Sequence, residues 1–176
     1  MEYSKLLSDY APAMSEAEVA AFVAAAREKS FRNRTADVYK TCYSTIDLTT
    51  LTETDSVKSV GEFVGKAVDF RKHYPDIPDV ASVCVYPLFV DVVGLGVEGT
   101  DIGVTSVAGG FPASQTYVEV KMLEVSMAVE SGADEIDVVI NVGQMLEGDY
   151  DVMANEIEML RKEAGDDVDF KVIIES

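Results

Sequence analysis

The sequence feature that most constrains the fold is an alternation of short apolar segments with longer amphipathic segments, which begins near Thr45. Runs rich in β-branched residues predict five strands, at Thr45–Leu51, Ala81–Tyr86, Gly103–Ala108, Glu135–Val142 and Phe170–Ile174. Runs with helical periodicity predict the connections between them, at Asp55–His73, Leu88–Val97, Thr116–Glu130 and Tyr150–Ala164. Because parallel strands need crossover connections, this order predicts an α/β fold with a parallel sheet.

A separate helix precedes the alternating part. Ser15 and Glu18 have the spacing of a capping box, and the alanine-rich run behind them predicts a helix that continues to Lys29. The polar stretch Ser30–Lys40 is predicted to lead from this helix into the first strand.

Polar residues inside the strands separate two parallel architectures, the open doubly wound sheet and the (β/α)8 TIM barrel. Strand side chains alternate between faces, so Asp47, Cys84, Asp137 and Lys171 each lie opposite apolar neighbours. Under a covering helix an unpaired charge costs several kcal/mol. In a barrel the same residues converge on the central axis, which opens at the end where TIM-barrel enzymes have their active sites. The polar positions therefore favour the barrel.

On that axis Asp47 and Asp137 face Lys171, with Cys84 beside them, and one negative charge is left without a counter-ion. We expect a further cation in the rest of the barrel. The simpler alternative places both aspartates at strand ends in water.

Composition excludes several classes of function. The 32 Asp and Glu residues against 14 Lys and Arg give a net charge of −18, so no nucleic-acid partner is expected. Cys42, Cys84 and a single histidine, His73, are too few for a zinc or iron–sulfur site. Without a signal peptide or a membrane span in the sequence, we expect no membrane partner and a cytoplasmic location.

Two further signals are interpreted structurally. The G-x-G-x-x-G pattern at Gly94–Gly99 follows a predicted helix rather than a strand, which is the wrong context for a dinucleotide site. His73 is predicted to close a helix, where a basic side chain favours the C-terminal dipole.

Five segments together resemble the deoxyribose-phosphate aldolase family and occur in the order of that family. They are Ile46–Leu51 (IDLTTL), Val83–Pro87 (VCVYP), Val107–Pro112 (VAGGFP), Gly132–Val139 (GADEIDVV) and Phe170–Ser176 (FKVIIES). In the last segment Ser176 stands where the family usually has threonine.

The resemblance implies a class I aldolase, a carbon–carbon lyase without metal or cofactor. Its substrate is a small phosphorylated sugar, 2-deoxyribose 5-phosphate, which it cleaves reversibly to acetaldehyde and glyceraldehyde 3-phosphate through a lysine Schiff base. By resemblance Asp137 is the acid/base carboxylate, Asp47 and Lys171 belong to the surrounding proton network, and Cys84 lies near the substrate without being essential. A homodimer of complete barrels is also implied.

The family places its Schiff-base lysine on strand 6 and a second lysine on strand 7, and neither motif occurs here. Because a complete barrel needs about 250 residues, we predict that residues 45–176 are strands 1–5 of a truncated barrel. Residues 1–44 are predicted to be an N-terminal helical extension, and the chain alone is expected to be inactive. Two alternatives stay open: a non-catalytic half-barrel interaction module, or another Schiff-base barrel aldolase.

Overall fold

A capped helix opens the described part of the chain. In the computed structural model, which describes residues 14–175, helix α1 (Glu16–Ser30) begins after Ser15. The Ser15 hydroxyl accepts a hydrogen bond from the Glu18 N–H (3.3 Å), and the Glu18 carboxylate accepts one from the Ser15 N–H (2.8 Å). This capping box confirms the predicted helix. The division at residue 44 stays a prediction, and residues 1–13 and Ser176 lie outside the described residues.

A second helix, α2 (Ala36–Ser44), corrects the prediction that Ser30–Lys40 is only a polar connection. Thr35 caps this helix, because its hydroxyl oxygen accepts a hydrogen bond from a backbone N–H in the first turn at 3.3 Å. Tyr43 of α2 stacks on Phe70, with the ring centroids 5.2 Å apart. The cap and the aromatic contact therefore both hold this helix, which has no fully buried residue.

Five parallel strands follow in one sheet, and their spatial order is their sequence order. The strands are β1 (Asp47–Thr49), β2 (Ser82–Val85), β3 (Gly103–Ala108), β4 (Glu135–Val139) and β5 (Asp169–Ile173). Four register pairs matter below: Asp47 with Ser82, Cys84 with Thr105, Thr105 with Glu135, and Asp137 with Lys171. Each strand is therefore joined to the next by a crossover.

The crossovers are helical. They contain α3 (Val57–His73), α4 (Val90–Val97), α5 (Val118–Glu130), α6 (Val142–Glu147) and α7 (Tyr150–Ala164). Within residues 14–175 there is no helix with the length and apolar character needed to cross a bilayer.

The two faces of the sheet have different surroundings. One face packs against the helices in a continuous apolar core, whose members include Val64, Val83, Val93, Val104, Val125, Ile136, Val138 and Leu160. The opposite face, called the inner face below, carries Asp47, Ser82, Cys84, Thr105, Glu135, Asp137 and Lys171. A doubly wound sheet reverses its strand order and is covered on both faces. The described sheet has neither property, so it is a segment of a (β/α) barrel.

The predicted fourth strand was too long. β4 ends at Val139 rather than Val142, because Asn141 caps the short helix α6. The Asn141 side-chain oxygen accepts a hydrogen bond from the Gln144 N–H at 3.3 Å. After Glu147 the helix is closed by Gly148, which has a left-handed φ of 84°. The run predicted as one strand, Glu135–Val142, therefore contains the end of β4 and the first residue of α6.

The alternation of faces also ends earlier than predicted at two places. β1 has three residues, Asp47–Thr49, and Thr45 lies at the C-terminus of α2 instead of in the strand. Glu175, in the last of the five family-like segments, lies beyond β5 with a φ of 53°. Neither Thr45 nor Glu175 therefore belongs to the inner face.

The G-x-G-x-x-G pattern lies within α4 and the turn behind it. A Cβ atom on Gly96 would lie 2.5 Å from Val64 Cγ1, so this glycine allows α3 and α4 to pack closely. Close packing of the two helices therefore explains the glycine at position 96. His73 ends α3, with its Nδ1 atom 2.9 Å from the Asp69 carbonyl oxygen, in agreement with the predicted structural role.

Candidate active site

Three carboxylates surround the ammonium group of Lys171 on the inner face. Lys171 Nζ lies 2.6 Å from Asp47 Oδ2, 2.7 Å from Glu135 Oε2 and 3.1 Å from Asp137 Oδ1. Strand β4 supplies two of them, because Glu135 and Asp137 are two residues apart and share a face. These four side chains are called the Lys171 cluster below.

The contact between Lys171 and Asp47 shows that the sheet is curved. Asp47 is on β1 and Lys171 is on β5, the first and last of the five strands in the sheet order. In a flat sheet these strands would be almost 20 Å apart, at about 4.8 Å per strand. The sheet is therefore curved strongly enough for its two outer strands to meet through their side chains, as in a barrel.

A layer of hydroxyl groups lies beside the cluster. The Ser82 hydroxyl donates to Asp47 Oδ1 at 2.9 Å, and the Thr105 hydroxyl lies 2.6 Å from Ser82 Oγ and 3.2 Å from Glu135 Oε2. Ser82 and Thr105 are both completely buried. They connect strands β1 to β4 through their side chains.

The surroundings keep Lys171 charged. Burial alone would lower the pKa of the Lys171 ammonium, but hydrogen bonds to Asp47 and Glu135 and the negative charge of Asp137 outweigh burial and raise this pKa. A lysine attacks a carbonyl only as the neutral amine. Lys171 is therefore suited to donate hydrogen bonds and balance charge, and it is poorly suited to be a nucleophile.

The surroundings of Lys171 favour its charged form, whereas the surroundings of Asp137 disfavour the charged form of its carboxyl group. Burial raises the pKa of its carboxyl group, the charge of Lys171 opposes that effect, and the charges of Asp47 and Glu135 add to it. The buried Oδ1 atom has no hydrogen-bond partner of good geometry within residues 14–175. A carboxyl group with a raised pKa holds a proton more readily than an exposed one, which suits it to general acid–base chemistry.

Cys84 lies on the neighbouring strand and stays a thiol. Burial and the negative charge of Asp137 raise its pKa to about 11, although Thr49 and Lys171 act in the opposite direction. The residue is 3% exposed. Its sulfur is therefore a small, nearly neutral group at the wall of the site rather than a thiolate nucleophile.

The turn after β3 is fixed at the C-terminal end of the sheet, near the site. Gly110 donates its N–H to Glu124 Oε2 at 2.7 Å and has a left-handed φ of 77°. Lys121, with no exposed surface, donates to Ser114 Oγ (2.8 Å) and to Glu156 Oε1 (2.7 Å). Two helices, α5 and α7, thus hold the turn in place.

The cluster differs from a metal site. Within the described part of the chain, no group of three or more His, Cys, Asp or Glu side chains is arranged to hold a metal ion. The position between the three carboxylates is filled by Lys171 Nζ.

The structure brings together all four residues singled out from the sequence, Asp47, Cys84, Asp137 and Lys171. Sequence reasoning omitted Glu135, although its two-residue spacing from Asp137 was a usable signal. It also omitted Ser82 and Thr105 from the site, since serine and threonine are common in strands. With Glu135 included, three carboxylates face one ammonium group, so the charge excess is larger than expected.

Comparison with known proteins decides the family. The model of the DeoC/LacD family aldolases matches residues 41–176, more than half of the chain. The chain belongs to the DeoC/LacD aldolase family. The deoxyribose-phosphate aldolase of Streptococcus gordonii is 40% identical over 115 residues, which cover 65% of this chain and 50% of that protein.

Solved structures of similar aldolases agree with the fold. The aldolase QR15 superposes with a TM-score of 0.65 at 28% identity, over 76% of this chain and 55% of that one. The tetrameric deoxyribose phosphate aldolase of Aeropyrum pernix superposes with a TM-score of 0.59 at 25% identity, over 77% of this chain and 53% of that one. The chain spans about half the length of the curated relatives and solved structures that it matches. The predicted barrel fold is confirmed for this DeoC/LacD aldolase chain.

Proposed function

We propose that the complete protein is a 2-deoxyribose-5-phosphate aldolase, which cleaves its substrate reversibly to acetaldehyde and glyceraldehyde 3-phosphate. The family supports an aldol reaction, and the similar protein from Streptococcus gordonii bears the name of this activity. The observation that carries the proposal is the Lys171 cluster, in which a carboxyl group with a raised pKa lies beside a charged lysine on the inner face.

Asp137 is the proton donor and acceptor in this proposal. Formation of an imine requires a carbinolamine to lose water, and cleavage then requires protons to move to and from the substrate. The raised pKa of Asp137 suits this carboxyl group to both roles. Lys171 positions Asp137 and stabilises its ionised form, and Asp47 holds Lys171 in place, because Lys171 contacts both carboxylates.

The imine forms on a lysine other than Lys171. Three carboxylates hold Lys171 protonated, and Lys121 lies behind the sheet, paired with Glu156. We propose that the Schiff-base lysine, like the groups that bind the phosphate, belongs to the part of the family barrel that these 176 residues do not span.

Two further proposals concern the whole protein. Cys42 and Cys84 are free thiols, which suits a reducing cytoplasm. The tetrameric assembly of the Aeropyrum pernix relative supports self-association of the complete barrel, of which a homodimer is the simplest form.

The test is a cleavage assay with the full-length protein that carries this chain. Acetaldehyde released from 2-deoxyribose 5-phosphate is reduced by alcohol dehydrogenase, and the loss of NADH is followed by absorbance. We expect turnover in the parent protein and a loss of about 10²- to 10⁴-fold in kcat for Asp137→Asn. Asp166→Asn, at an exposed turn, is the control and should be unchanged. No cleavage by the parent, or a loss below tenfold in Asp137→Asn, contradicts the proposal.

A further inference from the structure

A glycine-rich turn follows β3 at the rim of the sheet, and its backbone has little stiffness of its own. Gly109 and Gly110 are consecutive residues with left-handed φ angles of 70° and 77°. Glycine has more backbone freedom to lose on folding than any other residue, so two glycines in a row do not fix the direction of the chain. We call residues 109–115 the β3 turn. Its conformation therefore depends on contacts with other elements.

Helix α5 supplies two of these contacts from one side. The Gly110 N–H donates to Glu124 Oε2 at 2.7 Å, and the Lys121 ammonium group donates to Ser114 Oγ at 2.8 Å. Glu124 and Lys121 are three positions apart, so their side chains lie on the same side of the helix. Hydrogen bonds to a charged partner are stronger than bonds between neutral groups. A further bond, from the Ser114 N–H to the Gly110 carbonyl oxygen at 2.9 Å, closes the turn between the two helix contacts.

On its other side the β3 turn reaches the ends of the neighbouring strands. The ring of Phe111 meets the ring of Tyr86 in a T-shaped arrangement with 6.4 Å between the centroids, and Tyr86 donates its hydroxyl to the Leu51 carbonyl oxygen at 3.4 Å. Gln115 donates a side-chain N–H to Asn141 Oδ1 at 3.3 Å. Leu51, Tyr86 and Asn141 follow β1, β2 and β4. The turn therefore links the C-terminal ends of four strands, directly or through Tyr86.

The β3 turn begins close to the carboxyl group of Asp137. Val107 is in register with Asp137, and Gly109 follows Val107 by two residues. The C-terminal ends of the strands form the face at which TIM-barrel enzymes have their active sites, so a turn at this position is suited to form a wall of the substrate site. Within residues 14–175, no hydrogen bond or ion pair joins the turn to the Lys171 cluster.

We propose that Glu124 is a positioning residue, which holds the β3 turn through Gly110 and thereby sets the affinity for the substrate without taking part in proton transfer. The effect on the substrate rests on the proposed function. The hold of Glu124 on the turn depends only on the described geometry. Lys121 holds the far end of the turn, but its removal also leaves Glu156 as a nearly buried charge, so Glu124 is the better position for a test.

Glu124 can be shortened without opening a closed void. Glu124 and Gly110 both line a cavity of about 590 Å³ on the helix-covered side of the sheet. Leu88 and Leu123 line the same cavity and are 79% and 60% exposed, so water reaches it. In Glu124→Ala the Gly110 N–H can therefore bind water instead of staying unpaired in a dry interior. We expect this variant to fold with a looser turn.

Steady-state cleavage kinetics of the full-length protein separate this role from a catalytic one. We expect Glu124→Ala to raise the KM for 2-deoxyribose 5-phosphate at least about tenfold, the worth of a hydrogen bond to a charged group. The value of kcat should stay within about twofold, because a change that weakens ground-state and transition-state binding equally raises KM alone. Glu130→Ala, at the exposed end of α5, is the control and should leave both constants unchanged.

Two conservative variants separate the reach of the side chain from its charge. Glu124→Gln loses the charge but keeps an oxygen that accepts from the Gly110 N–H, so its KM should return to within about threefold of the parent value. Glu124→Asp keeps the charge but is one methylene group shorter, so it should resemble Glu124→Ala. Glu124→Asp also provides a second test of the lost contact if Glu124→Ala folds poorly.

Hydrogen–deuterium exchange of the same full-length proteins, measured by mass spectrometry, tests the hold on the turn without any need for activity. Peptides that cover residues 109–115 should exchange faster in Glu124→Ala and Glu124→Asp, because a lost contact allows more frequent local opening. Exchange in these peptides should match the parent in Glu124→Gln and Glu130→Ala. Peptides from β4 and β5 should exchange equally in every variant, which shows that the sheet itself has not loosened.

The two measurements together decide the proposal. Equal exchange of the β3 turn in Glu124→Ala, Glu124→Asp and the parent would show that Glu124 does not hold the turn. Faster exchange with an unchanged KM, or a fall in kcat alone, would show that the turn does not set substrate affinity. Either result overturns the proposal. If the parent cleaves no aldol, the proposed function fails and the effect on substrate affinity fails with it, while exchange still decides the hold on the turn.

Discussion

At the scale of single residues, the environment of Lys171 determines which chemistry this side chain can perform. An ammonium group 2.6 to 3.1 Å from three carboxylate oxygens is stabilised by each of them, and loss of its proton would leave the three anions facing one another. In the same site Asp137 is partly buried and its pKa is raised. In the proposed mechanism these two neighbouring groups have different roles: Lys171 is a fixed positive charge, and Asp137 gives and takes a proton.

Cys84 provides a prediction about pH. Because its pKa is about 11, its thiolate fraction near neutral pH is small, and we expect alkylation by iodoacetamide at least about a hundredfold slower than for a free thiol of pKa ~8.5. The rate should rise with pH and reach half of its maximum near pH 11. The measurement uses Cys42→Ser, which leaves Cys84 as the only thiol, since Cys42 is exposed.

The matched control is Cys84→Ala, in which exposed Cys42 should react rapidly in the native protein. Rapid alkylation of Cys84 at neutral pH in folded Cys42→Ser would contradict the raised pKa of the Cys84 thiol. Equal rates for both cysteines are expected only after unfolding in denaturant.

Period-2 alternation was sufficient to place Asp47, Asp137 and Lys171 on one face, because the rule depends only on strand geometry. The same rule could not supply the distances between them. These depend on the curvature of the sheet, which brings β1 and β5 together and is set by all the helices packed behind it. The contacts of the buried Ser82 and Thr105 hydroxyl groups could not be predicted either, since Thr105 meets Glu135 only through the register of β3 with β4.

At the scale of elements, α5 and α7 are tied by a charged pair that is almost entirely buried. Lys121 has no exposed surface, and Glu156, 2.7 Å from it, is 14% exposed. Lys121 also holds Ser114 in the turn after β3. The pair therefore connects helix packing to the turn near the active site.

Removal of Lys121 should be costly, because Glu156 is then left as a nearly buried charge without its partner. We expect Lys121→Met to lower the free energy of unfolding by about 3–5 kcal/mol, measured from the urea midpoint at constant slope. The double variant Lys121→Met with Glu156→Met should recover most of the loss, since it removes both charges.

The exposed pair of Lys162 and Glu158 on α7, 2.9 Å apart, is the matched control. Lys162→Met should cost less than about 1 kcal/mol, because water screens an exposed pair. If Lys121→Met and Lys162→Met change the urea midpoint equally, the buried pair does not stabilise the packing of α5 on α7.

Long periodic helices were predictable from the sequence, and α7 was predicted with its observed bounds, Tyr150–Ala164. The two helices that were missed are short, and neither has a fully buried residue. The start of α6 depends on the Asn141 cap at the end of a strand, and α2 depends on Thr35 and on one aromatic contact. In such short helices the capping side chain determines whether the helix forms, because the helix propensity of the other residues is weak. The amino-acid composition of the segment does not reveal that cap.

At the scale of the whole molecule, five strands in sequence order curl until the first and the last share a lysine–aspartate contact. This arrangement matches the family barrel over about half of the relatives' length. The polar inner face predicted the barrel correctly, because an open sheet would have buried these charges beneath helices. Sequence length alone could not have distinguished these two folds.

The division of roles between lysines is the central claim, and reductive trapping tests it most directly. The full-length protein and the 176-residue chain are each treated with acetaldehyde and sodium borohydride, and the modified lysine is located by peptide mass spectrometry. We expect one adduct in the full-length protein, on a lysine outside these 176 residues, and none on Lys171 in either sample, because three carboxylates keep it protonated. A stoichiometric reduced adduct on Lys171 would contradict the proposed mechanism.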